Sequence, residues 1–138
     1  TGNIYGIYDL AGGVWERTAG YINNGQTLNG ISVVVGKDKS TKYATVYPYS
    51  DVGNDENAKS VANYKLNEKI YGDSIRETST EGKENTSWYN DHSYYPSGIA
   101  PFFNRGGYCE SNERAGVSSF ARHAGISAWY HGIRCVLV

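Results

Sequence analysis

The sequence contains no methionine, only two cysteines and three prolines, and no long apolar run. Because even position 1 lacks methionine, we expect the chain to begin inside a longer precursor. No segment approaches the roughly 18 apolar residues that a membrane helix requires. The formal net charge of −1 argues against a general nucleic-acid binder, in which basic residues usually cluster. We therefore expect neither a membrane span nor a nucleic-acid partner.

The two cysteines do not form a disulfide framework. Cys109 and Cys135 could make one bridge, but two cysteines carry little information, and the pattern favours unpaired thiols. Neither has a second cysteine or a histidine at a zinc-type spacing. The three histidines, His92, His123 and His131, show no metal-binding triad with a carboxylate, so each is interpreted as a surface or hydrogen-bonded residue.

A chain of 138 residues suits one domain, and this one is rich in glycine (17) and tyrosine (13). The first part predicts a strand over Val14–Ile22 and a short β-branched strand over Ile31–Val35. The dipeptides Asn24-Gly25 and Asn29-Gly30 predict turns, since both residue types adopt positive φ at low cost.

Residues 36–86 are more polar, and within them Asp55–Lys69 has the composition of a helix. Asn54 or Asp55 is the expected N-cap, and Gly72 is the expected stop. Spacing near 3.6 predicts one apolar face, comprising Ala58, Val61, Ala62, Lys65 and Leu66. Ser79–Ser87 is predicted to be a loop.

The last third, Trp88–Val138, is aromatic and glycine-rich and ends in an apolar stretch that predicts a buried strand. Within it, Ala121–His131 has neither a period of 2 nor one of 3.6. Such mixing of small, aromatic and basic residues is typical of an exposed recognition surface or of an irregular loop. Trp129 suits either a buried anchor or a binding hot spot.

Three signatures occur in order: Tyr8–Glu16, which contains Gly13-Val14-Trp15-Glu16, then Arg105-Gly106-Gly107, then Gly132-Ile133-Arg134. This set resembles the formylglycine-generating-enzyme family, whose pattern is Asn-Val-Trp-Glu, Arg-Gly-Gly and Gly-Phe-Arg. The resemblance implies an α+β, C-type lectin-like fold of short antiparallel strands with an inserted polar helix and long loops.

Further blocks, Asn3–Asp9, Gly72–Thr78 and Ala115-Gly116-Val117, are similar to the variable proteins of diversity-generating retroelements. That resemblance implies one lectin-type domain over residues 1–138, forming the C-terminal part of a longer chain. It has a polar insert at about 37–100 and a variable region at about 105–138.

In such proteins a retroelement rewrites adenines in asparagine codons, which diversifies exposed positions on a fixed scaffold. Gly125 and Ser127 resemble scaffold positions. By this resemblance the variable residues are Ser119, Ala121, His123, Ala124, Ile126, Ala128, Tyr130 and His131, with Tyr108, Cys109 and Ser111 as weaker candidates. We count Tyr108 and Trp129 with them as ligand-binding residues.

Other residues are expected to support that surface. Trp15 is expected in the core, Gly106 and Gly107 at positive φ or a close backbone approach, and Asp9 and Glu16 in structural roles. Arg105 and Arg134 each carry five donors that could tie loops together. No cofactor is expected. Gly13 replaces an asparagine that is a calcium ligand in some relatives, but backbone carbonyls and Glu16 could still bind calcium, so that alternative stays open.

The resemblance implies a binding function rather than catalysis. The ligand would be a protein or a glycan, at a virion or cell surface, with the oligomeric state unassigned. Two alternatives remain: a formylglycine-generating or sulfoxide-synthase-like metalloenzyme, or a structural phage tail or pilus subunit without a variable surface.

Overall fold

The computed structural model describes residues 12–24, 27–28, 31–32, 44–68 and 74–133. It is a mixed α+β structure with a five-stranded sheet, which confirms the predicted class. The strands are β1 (Trp15–Ile22), β2 (Thr27–Leu28), β3 (Ile31–Ser32), β4 (Thr45–Tyr47), β5 (Phe102–Arg105), β6 (Phe120–His123) and β7 (His131–Gly132). The helices are α1 (Glu56–Leu66) and α2 (Ser74–Thr78), with 3₁₀ helices η1 (Trp88–Asn90) and η2 (Cys109–Arg114).

The long strand β1 is the centre of the sheet. One of its edges pairs antiparallel with β5, which pairs antiparallel with β6. Its other edge pairs in parallel with β7 near the start of β1 and with β4 near the end. The predicted strand over Val14–Ile22 is therefore confirmed, and it places the last described strand beside the first.

The small second sheet is the antiparallel pair of β2 and β3, with Leu28 opposite Ile31. The turn predicted at Asn29-Gly30 lies outside the described residues. Residues 33–35 of the predicted strand and the predicted C-terminal strand also lie outside them.

The core is built mainly from aromatic rings. Tyr95, Phe103 and Phe120 are fully or almost fully buried, and the ring centroids of Tyr95 and Phe103 are 5.0 Å apart in an edge-to-face arrangement. Tyr47 packs against both of these rings, and Tyr64 packs against Tyr95. Part of the tyrosine excess therefore fills the core, and the predicted polar insert supplies Tyr47, Tyr64 and Tyr95 to it.

Helix α1 begins as predicted but buries a different face. The Asp55 carboxylate accepts hydrogen bonds at 2.8 Å from the backbone N–H groups of Asn57 and Ala58, so Asp55 is the N-cap. The helix ends at Leu66, before the predicted stop, and the C-cap is Asn67.

The predicted apolar face of α1 is wrong, because the buried residues are Ser60, Asn63 and Tyr64, whereas Leu66 is 50% exposed. The Asn63 amide exchanges two hydrogen bonds with the backbone of Ser50, and Ser60 donates to the Tyr95 carbonyl at 2.6 Å. The buried side chains thus satisfy the backbone of neighbouring loops, which apolar side chains could not do.

Candidate functional site

The Arg105-Gly106-Gly107 motif forms the turn from β5 into η2. Gly106 and Gly107 have φ values of 90° and 78°, which confirms the predicted positive φ. A Cβ on Gly107 would lie 2.7 Å from the Ala115 Cβ, so the turn also depends on a close approach. The Gly106 N–H donates to the Ser119 carbonyl at 3.1 Å, which ties this turn to the strand that follows η2.

Arg105 braces the segment before β6, as predicted. Its Nη2 donates to the Val117 carbonyl at 3.0 Å. Nearby, the buried Asp91 carboxylate accepts from the Ser118 N–H at 3.1 Å. Burial raises the pKa of Asp91 against the opposing effects of that hydrogen bond and of the Arg105 charge.

The other residues predicted to support the surface are Trp15, Glu16, Asp9 and Arg134. Trp15 is 6% exposed, which confirms its place in the interior. Glu16 is half-buried in β1, directly opposite Arg105 in the β1–β5 register. Asp9 and Arg134 lie outside the described residues.

An open cleft of about 590 Å³ lies where β1, β5, β6 and β7 meet η2. Its lining residues come from all of these elements and from the segments beside them: Trp15, His92, Asn104, Tyr108, Glu110, Ser111, Asn112, Glu113, Arg114, Ala121, Arg122, His123, Tyr130 and His131. Of these, Tyr108, Ala121, His123, Tyr130 and His131 are predicted variable residues, and Ser111 is one of the weaker candidates. The fold therefore gathers positions that are up to 23 residues apart in the chain into one concavity.

Aromatic rings extend from the cleft to the outside. The Trp15 ring lies 6.4 Å from Tyr108, and Tyr108 lies 5.2 Å from Tyr130. Trp129 contacts both tyrosines, at 6.1 and 5.3 Å between centroids, and is 70% exposed. The exposure decides between the two interpretations of Trp129: it is not a buried anchor, and an exposed tryptophan at the mouth of a cleft suits a binding hot spot.

The three imidazoles of the cleft are neutral at neutral pH. Burial, with smaller effects from Arg114 and Arg122, lowers the pKa of His92 to about 4. Burial also lowers the pKa of His123 to about 4, with contributions from His131 and Arg17. The pKa of His131 is lowered by burial and by the Arg17 charge.

Arg17 of β1 joins the cleft to the loop between β6 and β7, residues 124–130. Its Nη2 donates to the Ile126 carbonyl and lies 3.0 Å from His131 Nδ1. Because a guanidinium only donates, Nδ1 must be the acceptor, and the neutral ring carries its proton on Nε2. With the proton on Nε2, the group 3.3 Å away on Asn104 must be its amide oxygen, which requires the Asn104 amide to be rotated by 180° and gives that otherwise unpartnered oxygen a donor.

The structure also places the remaining predicted variable residues. Ile126 is exposed at the tip of the β6–β7 loop, Ala124 and Ala128 are half-buried there, and Cys109 is an exposed free thiol on η2. Cys135 lies outside the described residues.

The prediction that Ser119 is an exposed variable residue is wrong. It is 0% exposed, and its hydroxyl has no hydrogen-bond partner among the described residues, so it belongs to the interior and not to a recognition surface. The predicted surface therefore starts after Phe120.

Sequence reasoning missed several residues that shape the cleft. Arg122 reaches from β6 to α1, where it donates to the Glu56 carbonyl, to Ser60 and to Asn57 Oδ1. Asn104 is 1% exposed and lines the cleft floor. The sequence signal for Asn104 is its position immediately before the Arg-Gly-Gly motif, whereas Arg122 carries no local signal.

The chain matches no protein-family model, no curated protein and no solved structure. Within the described ranges, no three His, Cys, Asp or Glu side chains group as metal ligands, and no helix is long and apolar enough to cross a membrane. The predicted calcium site of backbone carbonyls and Glu16 is not tested by this and stays a prediction.

Proposed function

We propose that this chain is a ligand-binding domain that presents a diversified surface, formed by the cleft and the β6–β7 loop, to a protein or glycan. The fold proposed for it is the C-type lectin-like fold of retroelement variable proteins. The observation that carries the proposal is convergence: predicted variable positions from two separate segments, around Tyr108 and over residues 121–131, meet at one cleft.

The physical character of this surface suits a binding role. Tyrosine and tryptophan give large contact areas with few rotatable bonds, and Tyr108, Trp129 and Tyr130 form such a group at the mouth of the cleft. Their contacts are mainly with each other, while the core of Tyr95, Phe103 and Phe120 lies elsewhere. The packing of the core therefore does not depend on these three side chains.

Residues beneath the surface, in contrast, do not tolerate substitution. Gly125, expected to be scaffold, has a φ of 85°, and a Cβ there would lie 2.8 Å from the Phe102 ring. Substitution at Gly125 would therefore strain the loop, whereas its neighbours Ala124 and Ile126 have side chains free to vary. A position that resists substitution thus lies directly beside the exposed Ile126, which supports the proposal, whereas Ser127, also expected to be scaffold, is exposed.

A displayed library tests this function. Five surface positions, Ala121, Ala124, Ile126, Ala128 and Trp129, are randomised, and the members that fold are selected for binding to a panel of immobilised proteins and glycans. A matched library randomises five exposed positions on or beside α1: Val52, Asn54, Lys65, Leu66 and Glu68.

We expect folded binders from the surface library and few from the α1 library. Equal yields from both libraries, or loss of folding across the surface library, would overturn the proposed function. Metal analysis with thiol titration of the purified chain tests the enzyme alternative, since stoichiometric copper or iron would favour that alternative.

A further inference from the structure

The β6–β7 loop is bracketed by two histidines in contact. His123 ends β6 and His131 begins β7, and their ring centroids are 4.0 Å apart with nearly perpendicular planes. Both lie at the cleft, and Arg17 lies against them from β1. Protonation of either ring would therefore place a new positive charge beside the other ring and beside a permanent cation.

Two hydrogen bonds that hold the interior of the loop require these rings to be unprotonated at Nδ1. The Gly125 N–H donates to His123 Nδ1 at 3.0 Å. Arg17 Nη2 donates to His131 Nδ1 at 3.0 Å and, from the same nitrogen, to the Ile126 carbonyl. An imidazolium is a donor at both nitrogens, so protonation replaces each of these bonds by two opposed donors.

The other charges near the cleft do not cancel this effect. His92, Arg114 and Arg122 add positive charge or potential positive charge. The carboxylates that line the cleft, Glu110 and Glu113, are exposed on η2, and neither is paired with either imidazole in the described part of the chain. Glu16 lies next to Arg17 in β1, where successive side chains leave on opposite faces of the strand.

The ends of the loop have a different kind of support. The Trp15 N–H donates to the Tyr130 carbonyl at 2.8 Å, and β7 pairs with β1 through backbone bonds that no side-chain proton changes. The His131 N–H also donates to the Ala128 carbonyl at 3.2 Å. Acid would therefore loosen residues 124–127, while the turn at Ala128 and the strands on either side stay bonded.

We propose that His123 and His131 form an acid-labile latch: in their neutral forms they hold the β6–β7 loop against Arg17, and protonation releases the loop and the ligand bound to it. The release of the loop stands on the hydrogen-bond geometry alone, and the release of ligand rests on the proposed function. The lowered pKa values of both rings place the transition below the usual range of histidine.

The loop is tested without any ligand, by NMR on the chain from pH 7 downward. We expect the amide signal of Gly125 and the indole signal of Trp129 to shift together with the His123 and His131 ring signals, while the amide of Phe103 in β5 stays constant. Titration of both rings with no change at Gly125 and Trp129 would overturn the latch.

Two variants sharpen the test. Asparagine places an oxygen near the position of Nδ1 and does not titrate, so His123→Asn with His131→Asn should keep the loop signals at their neutral-pH positions in acid. His92→Gln, which removes the third imidazole outside the loop, should leave the transition intact. A transition that persists in the double variant would contradict the proposal, and if that variant does not fold, the wild-type titration decides alone.

The release of ligand is tested with a binder selected from the displayed library at pH 7. We expect its affinity for the target to fall by about tenfold at about pH 3 in the parent chain, one unit below the pKa of His123, and to change much less in the double variant. Equal loss in both chains would overturn the release of ligand by the latch. Failure to obtain any binder would overturn the proposed function, while the NMR titration would still test the loop.

Discussion

Replacing Gly116 by alanine tests the packing beneath the proposed binding surface. A Cβ built at Gly116 would overlap the Asp91 carboxylate oxygens. That carboxylate is buried and accepts the Ser118 N–H, so it cannot move into solvent without breaking the bond that positions the start of β6. The substitution must therefore displace either the backbone or a buried charged group.

The magnitude combines two effects. Overpacking of a well-packed site costs about 1–3 kcal/mol. Loss of the Ser118–Asp91 hydrogen bond, which leaves a buried N–H without its partner, adds about 1–3 kcal/mol. Since the two effects partly replace each other, we expect Gly116→Ala to lower the free energy of unfolding by about 2–4 kcal/mol.

The assay is urea unfolding followed by tryptophan fluorescence, with Gly13→Ala as the matched control. A Cβ at Gly13 meets nothing within 4 Å, so the control should change stability by less than about 0.5 kcal/mol. In an Asp91→Ala background the clash is removed, and Gly116→Ala should cost at least about 1 kcal/mol less than in the parent. A cost for Gly116→Ala that equals the control, or that is unchanged in the Asp91→Ala background, would refute the reasoning.

Three further predictions concern α1, the cleft and its rim. Asp55→Ala should lower the free energy of unfolding by about 1 kcal/mol because the N-cap is lost, and Asp55→Asn should restore most of it; equal losses would contradict the capping role. Between pH 7 and about pH 5 His92 becomes protonated in the unfolded chain but not in the folded chain, so the free energy of unfolding falls as the pH is lowered. His92→Gln should make this fall smaller by about 1 kcal/mol in urea unfolding, a value that allows for the partial exposure of the ring. Parallel pH profiles of the parent and the variant would argue against a buried neutral ring. Trp129→Ala should leave the thermal melting curve within about 2 °C of the parent because the side chain is 70% exposed, and a large drop would show that Trp129 supports the fold.

Local signals predicted the elements that local physics determines. The strand over Val14–Ile22, the N-cap at Asp55 and the positive φ of Gly106 all depend on residues within a few positions of one another. Such features need no knowledge of the rest of the fold. The Arg105 brace was also predictable, because an arginine beside a glycine turn has few acceptors other than nearby carbonyls.

The errors have one physical origin, which is the burial of polar side chains. Ser60 and Asn63 are buried because they satisfy the backbone of loops distant in sequence, and helical periodicity cannot show that. The resemblance places Ser119 on the surface, yet both Ser118 and Ser119 are buried, directly after the exposed Val117. In each case tertiary packing overrode polarity.

The cleft itself could be predicted only in part. The variable positions came from a resemblance of motifs, and the structure brings Tyr108 together with residues 121–131. The participation of His92, Asn104 and Arg17 depends on the pairing of β1 with both β5 and β7, which no pattern in the sequence specifies.

Sequencing the gene's locus, in the source and in closely related strains, tests the central claim most directly. If the surface is diversified, we predict a neighbouring reverse-transcriptase gene and a near-duplicate repeat of the segment that encodes residues 105–138, differing only at adenines. Substitutions among strains should concentrate at the cleft and the β6–β7 loop and spare Gly106, Gly107 and Gly125. A locus without such a repeat, with residues 105–138 constant among close strains, would contradict the account.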